Sequence, residues 1–217
     1  TSHRFVSERA AEILGIAKDQ FNCITCHMGN GSSFTAVKGG KSYDTSMGMT
    51  PLEGIVMGTR CGGVDAGIPN FLAKNVNMSF DDIDAALNKQ SGLLGISGVS
   101  SDMRDVEQAA AAGNARAQLA LDVLAHRVLQ YIGAYAIELG RVDAIVFTGG
   151  IGENGKGFRA QIVERLTALG IKLNAQANDV RGKEAIISSD DSPIKVMVVP
   201  TNEELVIARD SKEIVGK

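Results

Sequence analysis

Apolar and polar positions alternate along the chain with two different periods, and the changes of period predict the order of the elements. Helical spacing of apolar residues predicts a first helix over about residues 4–14. Two β-prone runs, about 22–27 and 33–38, are followed by a short third run at 42–44 behind the turn "KGGK". Short runs separated by tight turns are typical of an antiparallel three-stranded meander.

The middle of the chain is rich in glycine and less periodic. Residues 45–70 hold many glycines, and so long a stretch is unusual as an idle loop inside a compact domain. Pro51 suits a first helical turn and predicts a helix over about 51–57. Ser79 and the acidic residues after it predict the start of another helix, which ends near Gly92.

The second half of the chain alternates helices with buried strands. A short capped helix precedes a long one over about 114–139, which is apolar on much of its surface and is expected to be central and well buried. The apolar runs "DAIVFTGG" and "IKVMVVP" predict two buried parallel strands, each followed by a helix, the last with Thr201 as its cap. The order βββ-α…α-β-α-β-α predicts an α/β fold, a mixed sheet with helices on both faces.

Composition narrows the class of protein. A length of 217 residues suits one large domain or two small ones, and a hydrophobic content of 44% suffices for a core. The net charge of -3 gives no basic field, so we expect no nucleic-acid and no membrane partner. No apolar run approaches the ~18 residues of a membrane span, and we expect no signal peptide. Cys23, Cys26 and Cys61 are interpreted as reduced thiols of a cytoplasmic protein.

The segment 27–33, "HMGNGSS", ends a predicted strand in small and hydrogen-bonding residues. Its glycines can adopt positive φ and let backbone N–H groups converge on an anion. Asn-Gly is also the strongest short signal for a plain hairpin. From this segment alone, both a phosphate-holding turn and a hairpin remain open.

Three further segments contain residues suited to phosphate chemistry. "FTGGIGENG", residues 147–155, runs from a buried strand through glycines into a helix, which is either a plain turn or one that aims N–H groups at a phosphate or ribose. Arg60 lies among glycines, either exposed on a loop or placed to clamp a phosphoryl group. Glu203 and Glu204 open the terminal helix, where they favour its dipole or supply a carboxylate to Mg²⁺. Together these features suggest one nucleotide cleft.

Longer stretches carry a family resemblance. The segments "TCHMGNGSS", "DTSMGMTPLEGIVMGTRCGGVD", "FTGGIGEN" and "PTNEELVIARD" resemble the acetate kinase family in order and spacing, over essentially the whole chain. The resemblance implies a ribonuclease H-like domain of the acetate and sugar kinase, actin and heat-shock ATPase superfamily. It also implies reversible phosphoryl transfer from ATP to acetate, giving ADP and acetyl phosphate, with Mg²⁺ or Mn²⁺.

The resemblance also assigns roles to individual residues. Arg60 and His3 are implied to stabilise the transferring phosphoryl group, and Glu203 to hold the metal ion. The implied nucleotide-binding residues are His27, Met28, Gly29, Asn30 and Gly31 in a first phosphate turn, Asp102, Met103 and Arg104 in an adenosine-contacting segment, and Gly150, Ile151, Gly152, Glu153 and Asn154 in a second turn. Family members dimerise through this region, so we expect a homodimer packed through the helix at 114–139.

The sequence departs from the family pattern in two places and in extent. Met28 stands where Leu is usual, a soft change. Residues Gly62–Ala66 lack an acid and a proline that are common there, which is expected to loosen the loop behind Arg60. The resemblance covers only the C-terminal half of the family. We therefore expect residues 1–217 to be a C-terminal nucleotide-binding and dimerisation domain without its N-terminal domain, binding nucleotide weakly and inactive alone.

Other functions fit the same residues. Propionate and butyrate kinases share these motifs, so the length of the acyl chain stays open. A module that only binds nucleotide or dimerises would use the same segments. A metal-thiolate module on Cys23 and Cys26 is a further alternative, although no second cysteine pair follows to complete a zinc site.

Overall fold

The computed structural model describes residues 1–216, which divide into two compact units. The sheet unit consists of Thr1–Met28, Phe34–Thr45 and the chain from Ile132 onward. The helical unit consists of Gly29–Ser33 and Ser46–Tyr131. No helix within the described residues is both long enough and apolar enough to cross a membrane.

A six-stranded sheet is the framework of the sheet unit. Its strands are β1 Cys23–Met28, β2 Ser32–Lys38, β3 Lys41–Thr45, β4 Ala144–Thr148, β5 Ala185–Ile186 and β6 Lys195–Val198. Their order across the sheet is β3-β2-β1-β4-β6-β5. β1 pairs with β4, and β4 with β6, in parallel, whereas β3 and β5 are antiparallel to their neighbours. The predicted meander and mixed sheet are confirmed, while the two-residue β5 was not predicted.

Nine α-helices lie in the described part of the chain. They are α1 Ser2–Leu14, α2 Ile68–Asn75, α3 Phe80–Lys89, α4 Gly92–Ser97, α5 Met103–Ala111, α6 Ala115–Leu139, α7 Gly149–Asn154, α8 Lys156–Val163 and α9 Glu203–Val215. The helices predicted near the chain start, after Ser79, at 114–139 and at the end are confirmed. α6 is buried along one face only, because Leu119 and Ile137 are 53% and 82% exposed.

The central strands are buried on both faces. One face forms a cluster with α1 that contains Val6, Ala10, Ala11, Phe21, Cys23, Val37, Ala144, Val146, Met197 and Val199. Ile24, Ile145 and Phe147 are also fully buried, and they point to the opposite face because successive side chains of a strand alternate. Burial on both faces explains why β4 and β6 read as continuous apolar runs.

The helix predicted over 51–57 from Pro51 was wrong. Gly54 has φ of 111°, a value outside any helix, and a Cβ there would lie 2.5 Å from the Ser46 carbonyl oxygen. The Gly63 N–H instead donates to the Gly54 carbonyl, so this stretch folds as a loop. The same proline signal would have located α2, which has Pro69 in its first turn and was not predicted.

The predicted cap of the last helix was also wrong, by one residue. The N-cap of α9 is Asn202, whose Oδ1 accepts a hydrogen bond from the Leu205 N–H at 3.0 Å. The Thr201 hydroxyl is hydrogen-bonded to Ser2 instead, at 2.8 Å between the two oxygens. The helix thus begins one residue later than predicted, with Asn202 as its cap.

Candidate active site

In the sheet unit, the candidate residues gather where the parallel strands end. His27 lies opposite Thr148 in the register of β1 and β4. β6 ends beside them, since the Val199 N–H donates to the Phe147 carbonyl at 3.0 Å. Open α/β sheets bind ligands at the carboxyl ends of their strands. This edge therefore brings together His27, the segment after β4 and the start of α9.

The predicted glycine turn after β4 is itself a short helix, α7. It begins directly at the end of β1, because a Cβ on Gly149 would lie 2.7 Å from the Met28 carbonyl oxygen and Gly149 has φ of 76°. Only glycine fits this position without strain. A Cβ on Gly150 would meet nothing within 4 Å, and the residue is exposed. Gly150 is thus the point at which a ligand can approach α7.

The Glu153 side chain, in the last turn of α7, points back to the first residue of that helix. It accepts a hydrogen bond from the Gly149 N–H at 2.9 Å and another from the Thr201 N–H at 3.3 Å. The Gly149 N–H, which the sequence suggested for a phosphate, therefore serves a carboxylate of the same chain. Glu153 acts here as a link between the ends of β4 and β6.

Two histidines lie at this edge and both are held neutral. His3 Nδ1 is 2.7 Å from the Thr25 hydroxyl, and burial together with nearby His27 lowers the pKa of His3 to about 4. His27 Nδ1 is 2.8 Å from the Ser2 hydroxyl. Burial lowers the pKa of His27, although the Glu203 carboxylate opposes that shift. At neutral pH, His3 can offer a hydrogen bond to a phosphoryl group but no charge.

Glu203 is an exposed carboxylate in the first turn of α9, where the helix dipole favours it. Within residues 1–216, no group of three or more His, Cys, Asp or Glu side chains is placed to hold a metal ion. Any ion at this edge would therefore take at most two such ligands from residues 1–216.

In the helical unit, the turn 29–31 joins β1 to β2, which agrees with the hairpin interpretation. Neither Gly29 nor Gly31 has a positive φ, so the prediction that these glycines adopt one is wrong. A Cβ on Gly29 would lie 3.3 Å from the Gly31 carbonyl oxygen, so a larger residue there would need a small shift of the turn. The Met28 side chain that precedes this turn, in the sheet unit, is fully buried, so only its backbone is available to a ligand.

The Arg60 guanidinium lies beside Gly31. Its Nη1 is 3.4 Å from where a Cβ on Gly31 would be, and that same nitrogen makes long contacts to the Pro51 carbonyl, at 3.4 Å, and the Met57 sulfur, at 3.7 Å. Within residues 1–216 no carboxylate forms an ion pair with it. A half-buried cation without an acidic partner next to a glycine turn is suited to binding an anion.

Backbone contacts fix the loop that carries Arg60. The Gly58 N–H donates to the Asn30 carbonyl at 3.1 Å, and a Cβ on Gly58 would lie 1.9 Å from Asn30 Oδ1 and 3.0 Å from the Ser101 carbonyl oxygen. Arg127 donates to the Gly63 carbonyl at 2.9 Å. Gly58 thus lies between the turn 29–31 and the segment that leads into α5.

The predicted adenosine-contacting segment forms the start of α5. Asp102 is its N-cap and accepts from the Arg104 N–H at 2.9 Å. The Arg104 guanidinium also binds the Asp102 carboxylate, at 3.0 and 2.5 Å, and the pKa of Asp102 falls to about 2 as a result. Met103 is 5% exposed and belongs to the core of the helical unit. Asp102 and Arg104 are thus the members of this segment with side chains open to a ligand.

Sequence reasoning missed the residues that hold the candidate groups in place. Ser2 links His27 to Thr201, and Arg159 is buried beneath α7. Ser2 stands next to His3 in the chain, but hydroxyl residues are too common for that adjacency to be informative. Arg159 had a usable signal, because it falls on the apolar side of a short amphipathic helix, between Ile162 and Val163 around the helix axis.

The fold and the placement of these groups define the class of protein. A mixed sheet of order β3-β2-β1-β4-β6-β5, whose central strands are covered on both faces and whose parallel strands end in polar residues, is an α/β fold of the ribonuclease H-like, actin-type ATPase class. A sequence profile of the acetokinase family matches residues 1–209. The chain belongs to the acetokinase family.

Relatives and solved structures agree with this assignment. The chain is 55% identical, over all of its 217 residues, to 54% of an acetate kinase of Clostridium novyi. The crystal structure of Porphyromonas gingivalis acetate kinase is 47% identical with a TM-score of 0.95, covering 99% of this chain and 54% of that one. A propionate kinase structure from Francisella tularensis is 49% identical with a TM-score of 0.89, covering 95% of this chain and 52% of that one. The chain spans about half the length of these relatives.

Proposed function

We propose that this chain supplies nucleotide-binding and phosphoryl-transfer residues of an ATP-dependent acetate kinase. In this reaction ATP and acetate are converted reversibly into ADP and acetyl phosphate. The observation that carries the proposal is the Arg60 guanidinium beside Gly31, which has no ion-pair partner in residues 1–216. Membership of the acetokinase family supports it independently.

The chemistry requires alignment and charge stabilisation rather than a covalent group on the protein. A carboxylate oxygen of acetate attacks the γ-phosphorus of ATP, the bond to the β–γ bridging oxygen breaks, and ADP leaves with that electron pair. Arg60 can donate two N–H groups to the equatorial oxygens as charge spreads over them. His3, neutral at pH 7, contributes a hydrogen bond rather than a charge.

Nucleotide binding is assigned to three segments. In the turn 29–31, the Gly29 N–H already donates to the Gly31 carbonyl at 3.1 Å, so the N–H groups of Asn30 and Gly31 and the Asn30 amide are the ones suited to phosphate oxygens. Gly150 has no side chain and open space beside it, so the nucleoside can approach α7 at Gly150 and contact the residues Gly150–Asn154. In the helical unit, Asp102 and Arg104 offer exposed polar groups to a ligand.

The metal fits the donor set that the chain offers. Mg²⁺ usually keeps several waters and binds proteins through one or two carboxylates together with substrate phosphates, so it needs no cage of protein ligands. Glu203 would supply one such carboxylate, and Mn²⁺ accepts the same donors. When bound, the ion would neutralise charge on the phosphate oxygens.

A second candidate is the same reaction with a longer acyl group. The Francisella tularensis propionate kinase is 49% identical to this chain, a value similar to that of the Porphyromonas gingivalis acetate kinase. One extra methylene changes the preference only about 10–200-fold. Comparing kcat/KM for acetate, propionate and butyrate on the full-length protein would decide between them.

The full-length protein that carries these residues is the subject of the main test. Acyl phosphate formation is measured as the hydroxamate, and Mg·ADP binding by calorimetry, for the parent, Arg60→Ala and Gly150→Val. We expect Arg60→Ala to lower kcat by about 10²–10³-fold with nucleotide binding retained, and Gly150→Val to abolish nucleotide binding. Arg165→Ala, at an exposed position outside these segments, is the control. Near-parent activity of Arg60→Ala would overturn the proposal.

We further propose a homodimer, with α6 as the contact. Leu119 and Ile137 are 18 positions apart, about five turns at 3.6 residues per turn, and so lie on one face of α6, where both are exposed. Sedimentation of the full-length protein should give a dimer, and Ile137→Glu should shift it toward monomer. If that variant remains a dimer, the dimer contact does not lie on this face of α6. A cytoplasmic location is proposed with it, because ATP is a cytoplasmic substrate.

We also propose that residues 1–217 alone bind nucleotide weakly and do not turn over, since they span about half the length of the relatives. Hydroxamate formation by the 217-residue chain at a rate close to that of the full-length protein would contradict this.

A further inference from the structure

One arginine of the sheet unit is buried and has no carboxylate partner. Arg159 on α8 is 1% exposed. Each of its five N–H groups nevertheless has an oxygen acceptor at 2.9 Å. Nε donates to Asn178 Oδ1, Nη1 to the carbonyls of Gly152 and Glu153, and Nη2 to the carbonyls of Asn178 and Val180. All of these acceptors are neutral, so geometry rather than charge pairing holds the guanidinium.

The acceptors belong to two separate stretches of chain. The carbonyls of Gly152 and Glu153 are near the C-terminal end of α7, where backbone carbonyls have no partner within the helix. Asn178 and Val180 lie in a non-helical stretch before β5. Asn178 is itself 5% exposed, and its side-chain amide donates to the Lys156 carbonyl at 2.9 Å. Arg159 therefore fastens the end of α7 to the loop at 178–180.

α7 needs such external contacts to keep its place. It has six residues, three of them glycine, and helices this short are not stable by themselves. Its beginning is held by the Glu153 carboxylate, which accepts from the Gly149 N–H. Its end is held by Arg159, whose positive charge also suits the C-terminal end of a helix. Burial lowers the pKa of Arg159 to about 10, so the guanidinium stays protonated at neutral pH.

We propose that Arg159 is a positioning residue for the nucleotide: it fixes α7 so that Gly150 and Asn154 are presented to the ligand. Arg159 does not touch the ligand itself. This inference rests on the proposed function only in that α7 binds nucleotide, and it does not depend on which acyl group accepts the phosphoryl group. A lysine keeps the charge but has one donor nitrogen, so it cannot replace the five-bond arrangement.

The test uses the full-length protein with Arg159→Lys and Arg159→Met. Ile162→Ala is the matched control, because Ile162 is fully buried on the same helix and its loss destabilises α8 without removing a hydrogen bond to α7. Three quantities are measured for each: the melting temperature, the Kd for Mg·ADP by calorimetry, and the rate of hydrogen–deuterium exchange in the peptide that covers residues 149–154.

We expect both Arg159 variants to weaken Mg·ADP binding about tenfold or more and to speed exchange in 149–154, while KM for the acyl substrate changes less than about twofold. Ile162→Ala should lower the melting temperature and leave the other quantities at parent values. The inference is overturned if the Arg159 variants match Ile162→Ala in both exchange and Kd, or if the parent binds no Mg·ADP. A parent that binds Mg·ADP but phosphorylates no carboxylate would contradict the proposed function alone.

Discussion

The Glu153 carboxylate accepts a hydrogen bond from the Gly149 N–H at 2.9 Å, so the last turn of α7 is tied to its first residue. The same carboxylate accepts from the Thr201 N–H, beyond the end of β6. Two backbone donors at strand ends are thereby satisfied by one side chain. Since a donor left unsatisfied in a buried place is costly, this link should contribute measurably to stability.

Replacing Glu153 with Ala should lower the free energy of unfolding by about 1.5–3 kcal/mol, the usual range for hydrogen bonds to a charged group. Glu153→Gln keeps one acceptor oxygen and should lose less. Urea unfolding of the full-length protein gives both values, with Glu164→Ala, at an exposed position, as the control. A Glu153→Ala midpoint equal to that of the control would show that these two bonds add nothing.

Gly58→Ala should impair the turn 29–31. The added Cβ would lie 1.9 Å from Asn30 Oδ1 and 3.0 Å from a backbone carbonyl, so the Asn30 side chain must move. We expect a Kd for Mg·ADP about tenfold higher, the loss of roughly one hydrogen bond at the phosphates, with the fold retained. Gly157→Ala in α8 is the matched control, because a Cβ there meets nothing within 4 Å. Its stability should stay equal or rise by up to about 1 kcal/mol, the helix propensity of alanine over glycine.

The reverse result would also be informative for Gly58. If Gly58→Ala binds Mg·ADP like the parent, the Asn30 side chain has no part in holding phosphate. The role of the turn would then fall to its backbone N–H groups.

Periodicity was enough to predict the strand order along the chain and most helices, because burial of one or both faces leaves a regular pattern. Local signals failed where a tertiary contact decided the outcome. Pro51 and Pro69 look alike in sequence, but the positive φ of Gly54 bends the chain after Pro51, whereas nothing interrupts α2 after Pro69. Thr201 and Asn202 are both residue types that cap helices, but Asn202 caps α9 and the Thr201 hydroxyl bonds Ser2.

The candidate site was predictable in its residues and less so in their geometry. The glycines at 29, 31 and 149 all stood out, but only Gly149 takes positive φ. The neutral state of His3 follows from its burial against Thr25, which no local pattern shows. Arg159 draws its acceptors from two distant segments, so its place beneath α7 requires the tertiary structure.

Asn202→Ala should fray the start of α9. The Asn202 side chain accepts from the Leu205 N–H, and loss of an N-cap costs about 1 kcal/mol. Because Glu203 is the next residue, we also expect the Mg²⁺ concentration needed for half-maximal activity of the full-length protein to rise. Asn202→Ser and Asn202→Asp restore a capping oxygen and should return both values toward the parent. Equal Mg²⁺ requirements in the parent and the three variants would show that the helix cap does not affect metal binding.

The free energy of unfolding should depend on pH in part through the protonation of His3. Burial holds its folded-state pKa at about 4, against 6.5 when unfolded, so between these values the unfolded chain binds a proton that the folded chain does not. Stability from this group is therefore complete above pH 6.5 and is lost as the pH falls toward 4, by up to about 3 kcal/mol. The measurement is the urea midpoint of the parent and of His3→Gln at several pH values. Acidic groups titrate in both proteins, so the difference between the two curves isolates His3. It should shrink from pH 7 to pH 4, and a difference that is constant over that range would mean that His3 is not held neutral.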